Sequence, residues 1–248
     1  RTNNIFEPFP EEANRRLISQ LASLHFSPTE LSKNNLLKSA VPGKIFITGN
    51  TVIDALLIIA KKNIKHNHSH LYLEKEDVIL ATVHRRENWG ESLNQICEGF
   101  RLILSKYKKS KLIIPMHPNK ILRDIFQNEL GSHPRVKLIE PLPYDELVTV
   151  LKRCKLVLTD SGGLQEEAPA LGKPVLVLRS NTERTEALNS GATRLVGEKP
   201  NDIFEGVDKL FSDSEEYKKM SNSVNLYGDG RASDLIVLEC DRLLKNQI

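Results

Sequence analysis

From Asp77 onward the chain alternates between short, continuous apolar runs and longer stretches in which apolar positions recur at helical spacing. Runs at 78–83, 112–116, 136–139, 156–159, 174–178 and 193–197 predict six strands. Helices are predicted at 93–107, around 121–130, at 144–153 and 165–171, in one or two pieces over 201–221, and at 231–245. Strands that are apolar throughout and separated by helices imply a parallel sheet covered on both faces, a doubly wound α/β fold. Ahead of it, Pro10 suits the first turn of a helix running from Glu11 to about Leu24. Ser27-Pro28-Thr29-Glu30 opens a second helix, 44–47 is a short strand, and Thr48-Gly49-Asn50 turns it into a helix over 51–62. A spacing of four pairs Glu11 with Arg15 and Glu12 with Arg16 on shared helix faces.

The stretch Asp160-Ser161-Gly162-Gly163-Leu164-Gln165-Glu166-Glu167-Ala168-Pro169 sits where one of these strands turns into a helix. Glycine there lets a ligand approach the backbone, and open N–H groups at a helix start favour an anion. Glu167, just over a turn further on, is placed to accept hydrogen bonds from a sugar diol, so the combination points to a nucleotide. A tight turn with an acidic first helical turn has the same spacing. What decides between them is the company this turn keeps. In a doubly wound sheet ligands sit beyond the carboxyl ends of the strands. The other strands end in His84-Arg85-Arg86-Glu87-Asn88, in His117-Pro118-Asn119, in Glu140-Pro141-Leu142-Pro143, and in Arg179 followed by Thr182-Glu183-Arg184. Two histidines, several arginines and a glycine turn on one edge describe a cleft for an anionic nucleotide. Arg179 and Arg184 are candidates for the anion and equally for structural ion pairs.

Composition removes other classes. A net charge of +3 over 248 residues makes no case for nucleic acid, and no apolar run reaches membrane-spanning length. Cys97, Cys154 and Cys240 lie far apart without metal spacing and read as reduced thiols of a cytoplasmic protein. His66, His68 and His70 alternate in a polar stretch at 63–73, but no carboxylate or cysteine joins them at ligand spacing, so a solvated loop and no metal site is expected. The chain opens at Arg1 with no strand before it, which gives the expectation of a start inside a longer protein.

Several stretches now occur in a telling order: Pro8-Phe9-Pro10-Glu11-Glu12-Ala13-Asn14-Arg15, Thr48-Gly49-Asn50-Thr51-Val52-Ile53-Asp54-Ala55-Leu56, the His84 to Asn88 run, Asp160 to Pro169, and Thr182-Glu183-Arg184. Together they closely resemble the bacterial non-hydrolysing UDP-N-acetylglucosamine 2-epimerases over essentially the whole chain. The resemblance implies two Rossmann-like domains facing across a cleft, the GT-B architecture. It divides this chain into residues 1–45 as the end of the first domain, 46–228 as a UDP-binding Rossmann-like domain, and 229–248 as a helix crossing back. The family's catalytic acidic residue in the first domain has no counterpart here. The resemblance therefore predicts a chain that binds UDP while turnover belongs to the complete enzyme.

The family reaction eliminates UDP from the sugar and adds it back with inversion at C2, without a cofactor or metal. Carried over by position, Glu11, His84 and Arg15 are the catalytic candidates, with Arg15 holding Glu11 ionised. Ser161, Gly162, Gly163, Arg184 and His117 are the candidates for the diphosphate and sugar, Glu167 for the ribose and Leu147 for uracil. Arg85 is assigned to a neighbouring regulatory nucleotide-sugar site. UDP and UDP-N-acetylhexosamines are the implied partners, with a homodimer for the full-length enzyme and neither nucleic acid nor membrane. A GT-B glycosyltransferase and a non-catalytic nucleotide-sugar-binding module remain the alternatives; the Glu11 and His84 motifs favour the epimerase.

Overall fold

The computed structural model describes residues 4–6, 9–62, 77–222 and 226–245, so the histidine-bearing stretch at 63–73 lies outside the described residues. The chain divides into two compact units, residues 1–58 with 225–248 and residues 59–224.

Among its described residues the larger unit holds six strands, β3 (Asp77–Thr82), β4 (Ser110–Pro115), β5 (Val136–Ile139), β6 (Leu156–Thr159), β7 (Val175–Val177) and β8 (Thr193–Leu195). All pair in parallel in the order β5-β4-β3-β6-β7-β8. The chain winds outward from β3 to β5, returns through a crossover to β6 on the other side of β3, and winds outward again. That is the doubly wound Rossmann order, and its switch point lies between β3 and β6.

Alternate residues of each strand feed two different cores. Ile79, Ala81, Leu112, Ile114, Leu156, Leu158 and Leu176 pack with helices α4 (Glu91–Lys106), α5 (Lys120–Leu130) and α9 (Pro200–Ser212). Val78, Leu80, Ile113, Val157, Val175 and Val177 pack with α6 (Tyr144–Arg153) and α7 (Leu164–Ala170). With a helical layer on each face the inner strands need no polar side, which is why the runs at 112–116 and 174–178 are apolar throughout, whereas the edge strands β5 and β8 admit Lys137 and Arg194. Each fully buried Ile, Leu or Phe contributes about 1.5–3 kcal/mol relative to exposure. The described residues of this unit also form α8 (Thr185–Asn189) and α10 (Ser214–Ser221). The five-residue α8 has too few turns for apolar periodicity to announce it.

The smaller unit contains α1 (Glu11–Leu21), β1 (Leu24–Ser27), α2 (Glu30–Lys38), β2 (Lys44–Ile47), the start of α3 (Thr51–Lys61), and α11 (Ala232–Lys245). The first helix stops three residues short of the expected Leu24. That leucine opens β1, which pairs in parallel with β2 in the register Leu24↔Lys44 to Ser27↔Ile47. Leu24 continues the spacing of Leu21, so periodicity alone assigns it to the helix; the distant pairing overrides it. The expected Glu11–Arg15 pair is also replaced. Arg15 donates to Glu12 through Nε (3.1 Å) and Nη2 (2.9 Å), and Arg16 Nε donates to the same carboxylate at 2.8 Å. Glu12 is fully buried and Glu11 is exposed. A desolvated carboxylate gains more from a guanidinium than an exposed one, so both arginines turn to Glu12. Among the described residues Glu11 makes no ion pair.

Two contacts tie the ends of this unit together. The Asp54 carboxylate accepts the N–H groups of Ala232 (3.1 Å) and Ser233 (2.6 Å), capping α11. Burial opposes ionisation of Asp54, but these bonds hold its carboxyl below the usual carboxylate value. Gly49 and Gly228, both at positive φ, let two chain segments touch: a Cβ on Gly49 would stand 3.0 Å from the Gly228 Cα. No helix among the described residues is long and apolar enough to cross a membrane.

Candidate active site

At the switch point, β3 and β6 run side by side up to the paired residues Thr82 and Thr159, whose hydroxyls lie 2.6 Å apart. The residue that follows β6, Asp160, is fully buried. Its carboxylate accepts the N–H of His84 (3.0 Å), the N–H of Arg85 (2.8 Å) and Asn88 Nδ2 (3.0 Å). Asn88 Nδ2 also donates to the Leu178 carbonyl at 3.0 Å. One carboxylate thus stitches the loop after β3 to the end of β6, with Asn88 carrying the connection to the end of β7. A buried carboxyl is tolerated there because three donors meet it.

His84 and Arg85 are therefore set by Asp160 rather than by their own strand. His84 Nε2 lies 3.6 Å from Asp160 Oδ1, and its ring, with 40% of the side chain exposed, stacks on His117 at a centroid distance of 6.1 Å. His117, at the end of β4, accepts the Asn119 N–H at Nδ1 (3.1 Å). These two histidines share a cleft of about 210 Å³ with Thr82, Met116, Leu142 and Leu147. That volume is below the roughly 300–1,000 Å³ of drug-sized ligand pockets, so it suits one part of a ligand rather than a whole nucleotide sugar. Leu147 lines the cleft, while its N–H is spent on the Pro143 carbonyl (2.9 Å).

On the other side of Asp160 lies the glycine turn. The Ser161 N–H, expected to be open, is taken by Thr159 Oγ1 at 2.9 Å, because the threonine hydroxyl points along the turn. A Cβ on Gly162 would stand 3.3 Å from Glu183 Oε1, 3.5 Å from Arg85 Nη2 and 3.6 Å from Arg184 Nη2. So Gly162 lies under the Glu183 carboxylate and the Arg85 and Arg184 guanidinium groups beside it. Arg85 Nη2 donates to Glu183 Oε1 at 3.2 Å, and Arg184 Nε donates to Glu166 Oε1 at 2.6 Å. Of the two open candidates, Arg179 resolves as an ion-pair partner. It is buried and held by Glu87 (2.6 Å) and Glu183 (2.9 Å). Thr182 Oγ1 donates to Gln165 Oε1 (2.7 Å), and Gln165 Nε2 donates to the Ser161 carbonyl (3.1 Å), which fixes the Thr182-Glu183-Arg184 loop over the turn.

Burial works against ionisation of Glu183, but its own backbone N–H, Arg179 and Arg85 outweigh it and hold the carboxyl at about 2. An unfolded glutamate titrates near 4.5. The folded state therefore binds fewer protons between these values, so the stabilisation is complete above pH 4.5 and is lost as pH falls toward 2. We expect Glu183→Gln to flatten the acid limb of the unfolding free energy in that window by roughly 2 kcal/mol, after solvent screening of the partly exposed ion pairs. Urea titrations at pH 3 and pH 6 check this; an unchanged difference between the two pH values would contradict it.

Glu167 is buried on α7. Burial pushes its carboxyl up, the Tyr144 hydroxyl pulls it down, and Glu166 pushes it up again, leaving it above the usual carboxylate value. Tyr144 OH donates to Glu167 Oε1 at 2.5 Å. The structure thus gathers His84, His117, Leu147, Ser161, Gly162, Gly163, Glu167, Arg184 and Arg85 at one sheet edge. Glu11 and Arg15 belong to the other compact unit. Sequence reasoning gave no role to Asp160, Tyr144, Asn88 or Glu183. Asp160 and Glu183 lay inside quoted motifs, whereas nothing in the sequence marks Tyr144 as a neighbour of Glu167.

The family model for UDP-N-acetylglucosamine 2-epimerase matches residues 1–239. The chain belongs to the UDP-N-acetylglucosamine 2-epimerase family. A Thermotoga maritima relative is 48% identical over 242 residues, which are 96% of this chain and 64% of that protein. The crystal structure of the Neisseria meningitidis UDP-GlcNAc 2-epimerase bound to UDP-GlcNAc is similar at 45% identity and a TM-score of 0.91, over 99% of this chain and 67% of that one. The Staphylococcus aureus MnaA–UDP co-structure is similar at 40% identity and a TM-score of 0.92, over 98% of this chain and 66% of that one. The chain thus spans about two thirds of the length of these epimerase-family relatives.

Proposed function

We propose that this chain is the nucleotide-binding part of an enzyme interconverting UDP-N-acetylglucosamine and UDP-N-acetylmannosamine. The observation that carries the proposal is the switch point itself: a buried Asp160 holds His84 and Arg85 beside a glycine turn that lies under Arg85 and Arg184. The similar structures from N. meningitidis and S. aureus, bound to UDP-GlcNAc and UDP, support the ligand class.

In this proposal Ser161, Gly162, Gly163, Arg184 and His117 receive the diphosphate and sugar, Glu167 the ribose, and Leu147 the uracil. Arg85 serves a regulatory nucleotide-sugar site. A base removes the C2 proton, the C1–O bond breaks with its electron pair leaving on UDP, and a 2-acetamidoglycal forms. UDP then adds back to C1 while a proton reaches the opposite face of C2. The sum is an isomerisation with no net change of oxidation state. His84 and Glu11 are proposed for the proton transfers, and the Arg15 role is revised to pairing with the adjacent Glu12. Residues 1–45 are proposed as the end of a first domain, 46–228 as the UDP-binding domain and 229–248 as a returning helix, in a cytoplasmic homodimer.

Glu167→Ala should weaken UDP by about 1.5–3 kcal/mol, the scale of a hydrogen bond to a charged group. Calorimetry checks this, and unchanged affinity would remove Glu167 from the site. The reaction is tested by supplying the protein that carries this chain with UDP-N-acetylglucosamine in deuterated water and no acceptor. UDP-N-acetylmannosamine with deuterium at C2 is the expected product. Sugar transfer only when an acceptor is added would establish a glycosyltransferase instead.

A further inference from the structure

We infer that Tyr144 is a positioning residue: its hydroxyl fixes the Glu167 carboxylate so that Oε2 faces the ribose of a bound uridine nucleotide. The inference rests on the proposed ribose role of Glu167 and adds to it a residue that sets which oxygen does the work.

The geometry is specific. Tyr144 is the first residue of α6, directly after Pro143, and its OH reaches across to α7 to meet Glu167 Oε1 at 2.5 Å. That is the short O–H···O⁻ range of a charge-assisted bond. Burial and the Glu167 charge both push the Tyr144 phenol up from its usual value, so it stays a donor throughout the working pH range. With Oε1 engaged, Oε2 lies on the Gly163 side, 3.7 Å from where a Cβ on Gly163 would stand. The absence of that Cβ leaves room beside Oε2. The Glu167 N–H also donates to the Gly163 carbonyl at 3.0 Å, which ties the Glu167 backbone to the glycine turn.

The helix that supplies the hydroxyl also lines the neighbouring cleft. Tyr144 and Leu147 are three residues apart and share a face of α6, and Leu147 lines the cleft with His84 and His117. One helix thereby couples the cleft wall to the carboxylate that reads the ribose. About a third of Tyr144 is exposed, and the bond to Glu167 is the contact its hydroxyl makes across to α7.

The test compares UDP, 2′-deoxy-UDP and 3′-deoxy-UDP by calorimetry on wild type, Tyr144→Phe, Glu167→Gln and the double variant, with thermal unfolding recorded alongside. Tyr144→Phe should weaken UDP about 3–10-fold. It should weaken much less the deoxy analogue that lacks the hydroxyl facing Oε2, so the ratio of the two affinities falls. In the Glu167→Gln background the effect of Tyr144→Phe should shrink. The acid limb of UDP affinity should also move to higher pH in Tyr144→Phe, because loss of the donor raises the carboxyl further. A purely structural tyrosine would weaken all three ligands alike and leave the pH limb in place, and that result would overturn the inference. The two levels fail separately. If Glu167→Ala leaves UDP affinity unchanged, the ribose assignment falls and takes this inference with it. If Glu167→Ala weakens UDP but Tyr144→Phe leaves the deoxy ratio unaltered, only the positioning role is lost.

Discussion

His84→Asn is expected to lower the rate of C2 proton exchange by roughly 10²–10⁴-fold while changing UDP affinity far less. The ring is presented by backbone it does not control: Asp160 grips the His84 N–H at 3.0 Å, so the substitution leaves the loop anchored. Asparagine retains a polar group of similar reach and cannot exchange a proton as imidazole does. The stacking partner His117 stays in place and keeps its Nδ1 contact with the Asn119 N–H. Deuterium incorporation from solvent into UDP-N-acetylglucosamine reads the chemical step directly, and calorimetry with UDP reads binding. Wild-type exchange in the variant would remove His84 from the proton transfers. A loss of UDP affinity as large as the loss of rate would make it a binding residue instead.

Asp160→Ala is expected to destabilise the larger unit markedly. It would leave the His84 N–H, the Arg85 N–H and one Asn88 Nδ2 proton without their acceptor in a fully buried position. Unsatisfied buried donors cost about 1–3 kcal/mol each, and partial relaxation of the loop brings the expected total to roughly 2–4 kcal/mol. At about 2–4 °C per kcal/mol for a domain of this size, the melting temperature should fall by about 5–15 °C. Asp160→Asn keeps one acceptor oxygen and turns an amide toward donors, so an intermediate loss is expected. Differential scanning calorimetry of the two variants checks the order. A melting temperature equal to wild type in Asp160→Ala would mean that this carboxylate does not hold the switch point together.

The strands of the larger unit were legible because a sheet covered on both faces favours apolar residues at most positions, with polar ones such as Lys137 and Arg194 on the edge strands. The runs at Leu112, Val136 and Leu156 leave no other reading once helices separate them. The side of the sheet on which a ligand belongs was legible for the same reason: residues just past each strand must gather at one edge. That rule alone brings His84, His117, Gly162 and Arg184 to one edge. What no local pattern contains is the choice among chemically equivalent partners. Arg15 had two glutamates in reach along one helix and pairs with Glu12, because burial decides which carboxylate most requires a cation. Leu24 satisfied helical spacing and became the first residue of β1, because its partner Lys44 is twenty residues away. The open N–H of Ser161 was closed by a threonine hydroxyl two residues back. Arg179 and Arg184 looked interchangeable, and only packing buried Arg179 between Glu87 and Glu183. Apolar runs and motifs along the chain identify the sheet, its ligand-bearing edge and the family. The tertiary structure alone decided which carboxylate anchors the site, since the donors that meet Asp160 lie more than seventy residues away in the chain, and burial has no signature in local spacing.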